Sequence, residues 1–297
     1  MTTYGEVARA LGDVAASRFV GLAMSRNDDI VRVPCRRVVQ TDGHVGGYTG
    51  GGPEKKIRLL KREGIRFEGS KVVDLESVLF REFKSSYPLA ELRRRQADLK
   101  KGLRIERYRC PIERVAGFDV AYSDDRAYAS MVVFDYQSGA EVERRLVEGN
   151  ARFPYVPTYL GFREIPVIAP LLKHVEKGTI LMFDGNGILH PLGFGVTSQI
   201  GVVFDVPTVG VAKKLLCGEV SGRTTEGVRD VRCGGRLAGY AISKTRAGKP
   251  VYVSPGHLVS PAQARDIALR FLVYRVPEPT RLAHIAAGEA RRAAKSK

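Results

Sequence analysis

Two acidic residues stand where a folded chain rarely tolerates charge, and they limit the architectures this sequence can adopt. Asp119 interrupts the apolar run Val115-Ala116-Gly117-Phe118-Asp119-Val120-Ala121-Tyr122, and Asp184 closes the run Thr179-Ile180-Leu181-Met182-Phe183. Apolar runs this short read as buried strands. A third, Thr208-Val209-Gly210-Val211-Ala212, ends at Lys213. Further strands are expected at 129–136, 141–148, 237–243 and 251–253, with helices at 161–177 and 261–273. From 115 onward the pattern is therefore α/β, a central mixed sheet flanked by helices. A carboxylate is seldom buried without a partner, and two that face each other repel. A divalent cation that favours hard oxygen ligands, Mg²⁺ or Mn²⁺, resolves that conflict. Glu164, in Gly161-Phe162-Arg163-Glu164, is a third acid able to complete the cluster. Taken one at a time, each acid also fits an ordinary strand-end or helix-start position.

The front of the chain has a different grammar. Thr3-Tyr4-Gly5-Glu6 has capping-box spacing ahead of a short helical run, Val7 to Leu11. Gly12-Asp13 marks a turn, and a second helix is expected from Ala15 to Met24, rich in small residues that allow close approach to a DNA groove. A structural helical hairpin fits the same pattern. An extended Ile30–Val33 follows, then Pro34-Cys35-Arg36-Arg37, a glycine-rich loop from Gly43 to Gly52, and a third helix, Glu54 to Glu63. This gives two domains: residues 1–82, small, helical and winged-helix-like, and residues 86–297. A basic helix, Leu89 to Leu103, opens the second. It reads as a solvated face or as a phosphate contact.

Charge narrows the partner. Lys and Arg number 48 against 32 Asp and Glu, a net +16. An excess of this size suits a polyanion, because basic groups on phosphates release condensed counterions. No run of about 18 apolar residues suggests a membrane helix. The N-terminus lacks the basic-then-apolar order of a signal peptide. The four cysteines, Cys35, Cys110, Cys217 and Cys233, show neither zinc spacing nor a disulfide framework, so a reducing, cytoplasmic setting is expected. The basic C-terminal tail, ARRAAKSK, is expected to fray.

Residues from about 87 to 285 resemble endonuclease V. The matching blocks are Val115–Tyr122, Arg152-Phe153-Pro154-Tyr155-Val156-Pro157 leading to Phe162-Arg163-Glu164, and Asp184-Gly185-Asn186-Gly187-Ile188 with His190-Pro191. Gly210–Lys213, Val253–His257 and Pro277–Arg281 follow in order. The resemblance implies a ribonuclease H-like fold and Mg²⁺-dependent nicking of DNA, 3′ of hypoxanthine and other deaminated bases. It implies Asp119, Asp184 and Glu164 as metal-site acids, with Lys213 and His257 as further catalytic residues. Tyr155 matches the wedge that holds the strands apart. Leu160, Gly185, Ile188 and His190 fall where the family lines the flipped-base pocket. Two departures, Thr158 for a glycine and Asn186 for a histidine, bear on base preference. The sugar stays open, because inosine in RNA is an alternative substrate.

Residues 3–64 resemble the DNA-binding part of the O6-alkylguanine-DNA alkyltransferases. The match runs through Thr3–Ala8, Arg18, Gly21, Ala23-Met24, Asn27, Pro34–Val39, Gly46-Gly47-Tyr48 and Leu59–Gly64. The resemblance implies Cys35 as the alkyl acceptor, and Tyr4, Arg18 and Asn27 as DNA-binding residues. The family's histidine after the cysteine, which relays a proton to a glutamate (here Glu63), is replaced by Arg36. A guanidinium cannot accept a proton at neutral pH. An active transferase and a non-catalytic alkylguanine reader both fit. The expected whole is a monomeric DNA-repair protein that acts on damaged duplex DNA.

Overall fold

A computed structural model describes residues 1–225, 227–245 and 248–296. The chain divides into two compact units, Met1–Arg95 with Tyr155–Pro157, and Gln96–Pro154 with Thr158–Lys297.

In the first unit, β1 (Thr2–Thr3) leads into α1 (Tyr4–Leu11). The Thr3 hydroxyl accepts from the Glu6 amide at 3.1 Å, so the cap read from the sequence forms. Gly12 ends the helix at φ 98°, a left-handed cap that glycine adopts without penalty. Asp13 then accepts from the Ala15 amide, and a 3₁₀ turn over Val14–Ala16 precedes α2 (Ser17–Ser25). The helical hairpin expected from the sequence is thus present, with its second helix starting two residues later. The expected extended stretch at Ile30–Val33 is a turn instead. Asp29 captures the Arg32 amide and Asn27 donates to the Val33 carbonyl, so local bonds outcompete pairing in a strand.

A second 3₁₀ turn holds Cys35–Arg37, and β2 (Val38–Val39) pairs in parallel with β1. After it come α3 (Gly52–Arg62), the hairpin of β3 (Phe67–Glu68) and β4 (Lys71–Val72), and α4 (Leu75–Val78). The basic helix α5 spans Pro88–Lys100. Two of its arginines are paired with acids, Arg93 with Asp13 and Arg94 with Glu91, each at 2.5 Å.

The second unit is built on one sheet. Its strands are β5 (Arg114–Ser123), β6 (Arg126–Asp135), β7 (Glu141–Asn150) and β8 (Thr179–Asp184), the last two separated by α6 (Leu160–Leu172). Helix α7 (Val196–Phe204) then leads to β9 (Thr208–Ala212), β10 (Glu219–Thr225), β11 (Val228–Cys233), β12 (Arg236–Ile242) and β13 (Val251–His257). Helices α8 (Pro261–Arg270) and α9 (Glu278–Lys295) complete it. The nine strands run in the order β10-β11-β12-β13-β9-β8-β5-β6-β7. Only the central pairs β5·β8 and β8·β9 are parallel. This is the mixed sheet flanked by helices that the α/β pattern and the ribonuclease H-like expectation required.

Alternation along the strands builds two cores. Val115, Ile180, Met182, Val209 and Val211 pack with α8 and α9 on one face. Ala116, Phe118, Leu181 and Phe183 pack with α6 and α7 on the other. Each such side chain contributes about 1.5–3 kcal/mol by leaving water. Helix α7 escaped the sequence reading because it is buried from Val196 to Gly201 and shows no polar stripe. The expected frayed tail is helical through Lys295, since alanine and arginine favour helix. Cys217 and Cys233, far apart in sequence spacing, bring their sulfurs to 3.8 Å as free thiols.

Candidate functional site

Strand register brings the acids together. In the parallel pair β5·β8, Phe118 lies opposite Phe183, so Asp119 and Asp184 are the next residues at adjoining strand ends. Both side chains then leave the sheet on the face opposite the two phenylalanines, which stack with centroids 4.8 Å apart. That face belongs to α9. A Cβ on Gly117 would lie 2.0 Å from the Pro279 carbonyl carbon, so glycine is what lets the start of α9 settle on β5. Ser130 fixes the helix further with a buried 2.6 Å bond to the Ala283 carbonyl. One residue on, His284 Nδ1 stands 2.8 Å from Asp119 Oδ2. Among the described residues, Asp119, Asp184 and His284 form the group with ligand atoms all within 4.8 Å of one another.

Lys213, just past the end of β9, donates to Asp184 Oδ2 at 2.5 Å. Burial raises the Asp119 carboxyl above the usual range and the Asp184 charge adds to this, while His284 and Lys213 oppose it. Glu164, in the first turns of α6, is pushed up to about 8, first by burial and then by the charges of Asp119 and Asp184. Two carboxyl groups raised by burial and by neighbouring negative charge, Asp119 and Glu164, around Asp184 are what a hard divalent cation would relieve. The donor set therefore fits a divalent cation. His284 was not singled out from the sequence. It lies in a helix whose other residues are mostly alanine and arginine, and nothing local marks it.

The structure does not bring His257 to these acids. Its register partner is Thr208, which in turn faces Leu181, three residues short of Asp184. That is about 10 Å along the strand, and two strands across. His257 is buried, its Nδ1 accepts from the Arg104 amide at 3.2 Å, and its Nε2 meets Asp205 at 3.3 Å. Burial lowers its affinity for a proton, and the Asp205 hydrogen bond works against that.

The other expected residues take separate places. Tyr155 is 55% exposed, an unpacked ring between Pro154 and Pro157. Leu160 begins α6 and packs on the Phe118 side of the sheet. Gly185 follows Asp184 directly, where a Cβ would meet Val196 at 2.6 Å. Ile188 bonds through its amide to Pro255, and buried His190 bonds through its amide to Ile188.

The first unit holds a second site. A pocket of about 370 Å³ is lined by Tyr4, Gly21, Met24, Cys35, Tyr48 and neighbouring backbone. Cys35, one of the lining residues, is 5% exposed. Arg18 is exposed on α2, and Asn27 is engaged with the Val33 carbonyl at 2.8 Å. Glu63 does not face a relay. Arg36 Nε and Arg37 Nε each donate to one of its carboxylate oxygens at 2.7 Å. These bonds hold the Glu63 carboxyl below its ordinary range, against the effect of burial.

Comparisons with known proteins match both parts of the chain. A family model described as Endonuclease V matches residues 97–285. One described as the DNA-binding domain of 6-O-methylguanine DNA methyltransferase matches residues 1–65. A bifunctional methyltransferase/endonuclease of Picrophilus torridus is 35% identical over 284 residues, covering 96% of this chain and 89% of the relative. The catalytic domain of human endonuclease V superposes with a TM-score of 0.64 at 32% identity, over 72% of this chain and 99% of that one. Endonuclease V of Ciona intestinalis, solved with DNA containing an inosine, gives 0.62 at 26% identity, over 69% and 98%.

Proposed function

Since the chain belongs to the endonuclease V family and carries a 6-O-methylguanine DNA methyltransferase DNA-binding domain in front, we propose a repair protein with two reactions. The second unit nicks DNA 3′ of hypoxanthine and related deaminated bases with Mg²⁺. The first unit takes an alkyl group from O6-alkylguanine onto Cys35.

The observation that carries the nuclease reading is the meeting of Asp119, Asp184 and His284 within 4.8 Å, with Lys213 on Asp184. Asp119 and Asp184 would hold the cation, with His284 as a third ligand or as the partner that orients Asp119. When bound, the cation supplies Lewis-acid polarisation of a phosphodiester and a more acidic water. Lys213 sets a positive charge beside the reacting phosphate, where negative charge grows. Glu164, raised by burial and by the charges of Asp119 and Asp184, is a third acid that a bound cation would draw on. Tyr155 offers an exposed ring for stacking, which is insensitive to base sequence. Leu160, Gly185, Ile188 and His190 match the family's flipped-base positions, and extrusion costs least at a mispaired base. His257 acts through structure, holding Arg104 and Asp205 in place.

The test is a nicking assay on hypoxanthine-containing duplexes with Mg²⁺. Cutting of DNA that is lost in Asp184→Asn supports the reading, and undiminished cutting by that variant would falsify it. Running the same assay on inosine-containing RNA decides the sugar. For Cys35, incubation with O6-methylguanine DNA is expected to add the mass of one methylene to its peptide. A protein that binds this DNA tightly and leaves Cys35 unmodified is a reader instead.

A further inference from the structure

The nine-stranded sheet carries a pair of side chains that neither reaction uses. Cys217, just ahead of β10, and Cys233, the last residue of β11, bring their sulfurs to 3.8 Å. Among the described residues this is the one place where two sulfurs meet, and both are free thiols. A regular ladder would keep them apart. Glu219 faces Arg232 and Val220 faces Val231, so the same register sets Gly218 opposite Cys233. Residue 217 would then point to the other side of the sheet. Gly218 lifts that restriction in two ways. Its φ of 87° turns the chain out of the extended form, and a Cβ there would lie 2.7 Å from the Cys233 sulfur. Glycine at 218 is therefore what lets the two thiols touch. Both residues are half-buried, so neither is sealed from solvent. Cys217 follows Lys213 by four residues, and Cys233 packs with Leu189, Val231 and Ala238, with Ile188 and Leu215 against the same cluster.

We propose that Cys217 and Cys233 are a site of reversible oxidation, closing to a disulfide by exchange with a small disulfide such as oxidised glutathione. One cysteine, as the thiolate, attacks a sulfur of the small disulfide, whose S–S bond breaks with its electron pair on the departing thiolate. The second cysteine then attacks the sulfur of the first, and the other small thiol leaves. The protein gives up two electrons and two protons, and the two small thiols take them. Burial, and then the bond to Cys233, push the Cys217 thiol up to about 11, so the exchange quickens as pH rises. The bridge joins residues 16 apart and staples the segment that follows Lys213 to β11. It removes conformations from the unfolded chain, so the closed form is the more stable.

The test uses the full chain, incubated with oxidised or with reduced glutathione at pH ~8.5, the ordinary thiol value. In the oxidised sample, peptide masses should show Cys217 joined to Cys233, with the loss of two hydrogens, and dithiothreitol should reverse this. Cys110, exposed, should take up glutathione alone and serves as the comparison. The thermal midpoint of the oxidised chain should exceed that of the reduced chain by about 5 °C. Cys217→Ser and Cys233→Ser should each lose both the cross-link and this difference. Gly218→Ala places a methyl group against the Cys233 sulfur and should slow closure about tenfold.

Four results would overturn the proposal. One is glutathione left on Cys217 and Cys233 with no cross-link between them. Another is a pair that stays free under conditions that modify Cys110. A third is a cross-link that forms as fast in the urea-unfolded chain, which would mean that closeness in sequence and not the fold brings the sulfurs together. The last is a cross-linked protein whose thermal midpoint equals that of the reduced one.

Discussion

At Asp119 and Asp184 the fold collects negative charge that the surrounding side chains only partly offset, whereas around Cys35 the one acid of the expected relay is bound to two arginines. The first centre is set by backbone register. Phe118 opposite Phe183 forces the next residues side by side, and no single surface change can separate them. The second is set by side chains alone, and one substitution, Arg36 for histidine, redirects Glu63. A site built from strand ends is hard to rewire, while a site built from a side-chain chain is easily rewired. That contrast accounts for an intact acid cluster beside an altered cysteine pocket in one polypeptide.

The contrast is tested most severely by Asp184→Asn, which should lower nicking by about 10³-fold or more while leaving Cys35 methylation intact. Equal losses in both assays would mean the two centres are not independent. Gly117→Val attacks the register from behind, because a side chain there meets the Pro279 backbone. It should cost about 3 kcal/mol in thermal unfolding and displace His284 from Asp119, again sparing the first unit. A Gly117→Val protein that melts and nicks like wild type would show that α9 does not position the site.

Arg36→His should speed methyl transfer about tenfold, measured as the rate of Cys35 modification, since it restores an acceptor and frees part of Glu63. No change would mean that the relay does not limit the transfer. The smallest effect concerns pH. Glu164 is raised to about 8, so the folded, metal-free protein binds more protons than the unfolded chain between about 4.5 and 8. Its stability should therefore fall as pH rises through that window. Mg²⁺ should reverse the fall, and Glu164→Gln should flatten it. A melting temperature that rises from pH 5 to 8 without metal would contradict this.

Much of the second unit was legible because its strands are short apolar runs with a charge at a defined end. Asp119, Asp184 and Lys213 could be picked out for that reason, and the structure joins them. His284 could not, because an alanine-rich helix gives no local cue to the strand it lies on. His257 shows the reverse error. Its Pro255-Gly256 setting suggests an active-site turn, but register carries it away from the acids and burial fixes both ring nitrogens. The 219–233 hairpin was missed because its strands mix charged and apolar residues without clean alternation.

The sequence by itself determined that two strands carry carboxylates at their ends, that a cysteine follows Pro34 ahead of a glycine-rich loop, and that the chain is strongly basic. These are properties of local pattern and composition, which need no neighbour to be read. Only the tertiary structure decided which cations meet which acids. His284 reaches Asp119 from 165 residues away because Gly117 has no side chain to hold α9 off. Arg36 reaches Glu63 across 27 residues and Lys56 turns inward to Val38, because in the folded unit those are the oxygens within reach. Electrostatic pairing depends on distance in space, and that distance is set by packing.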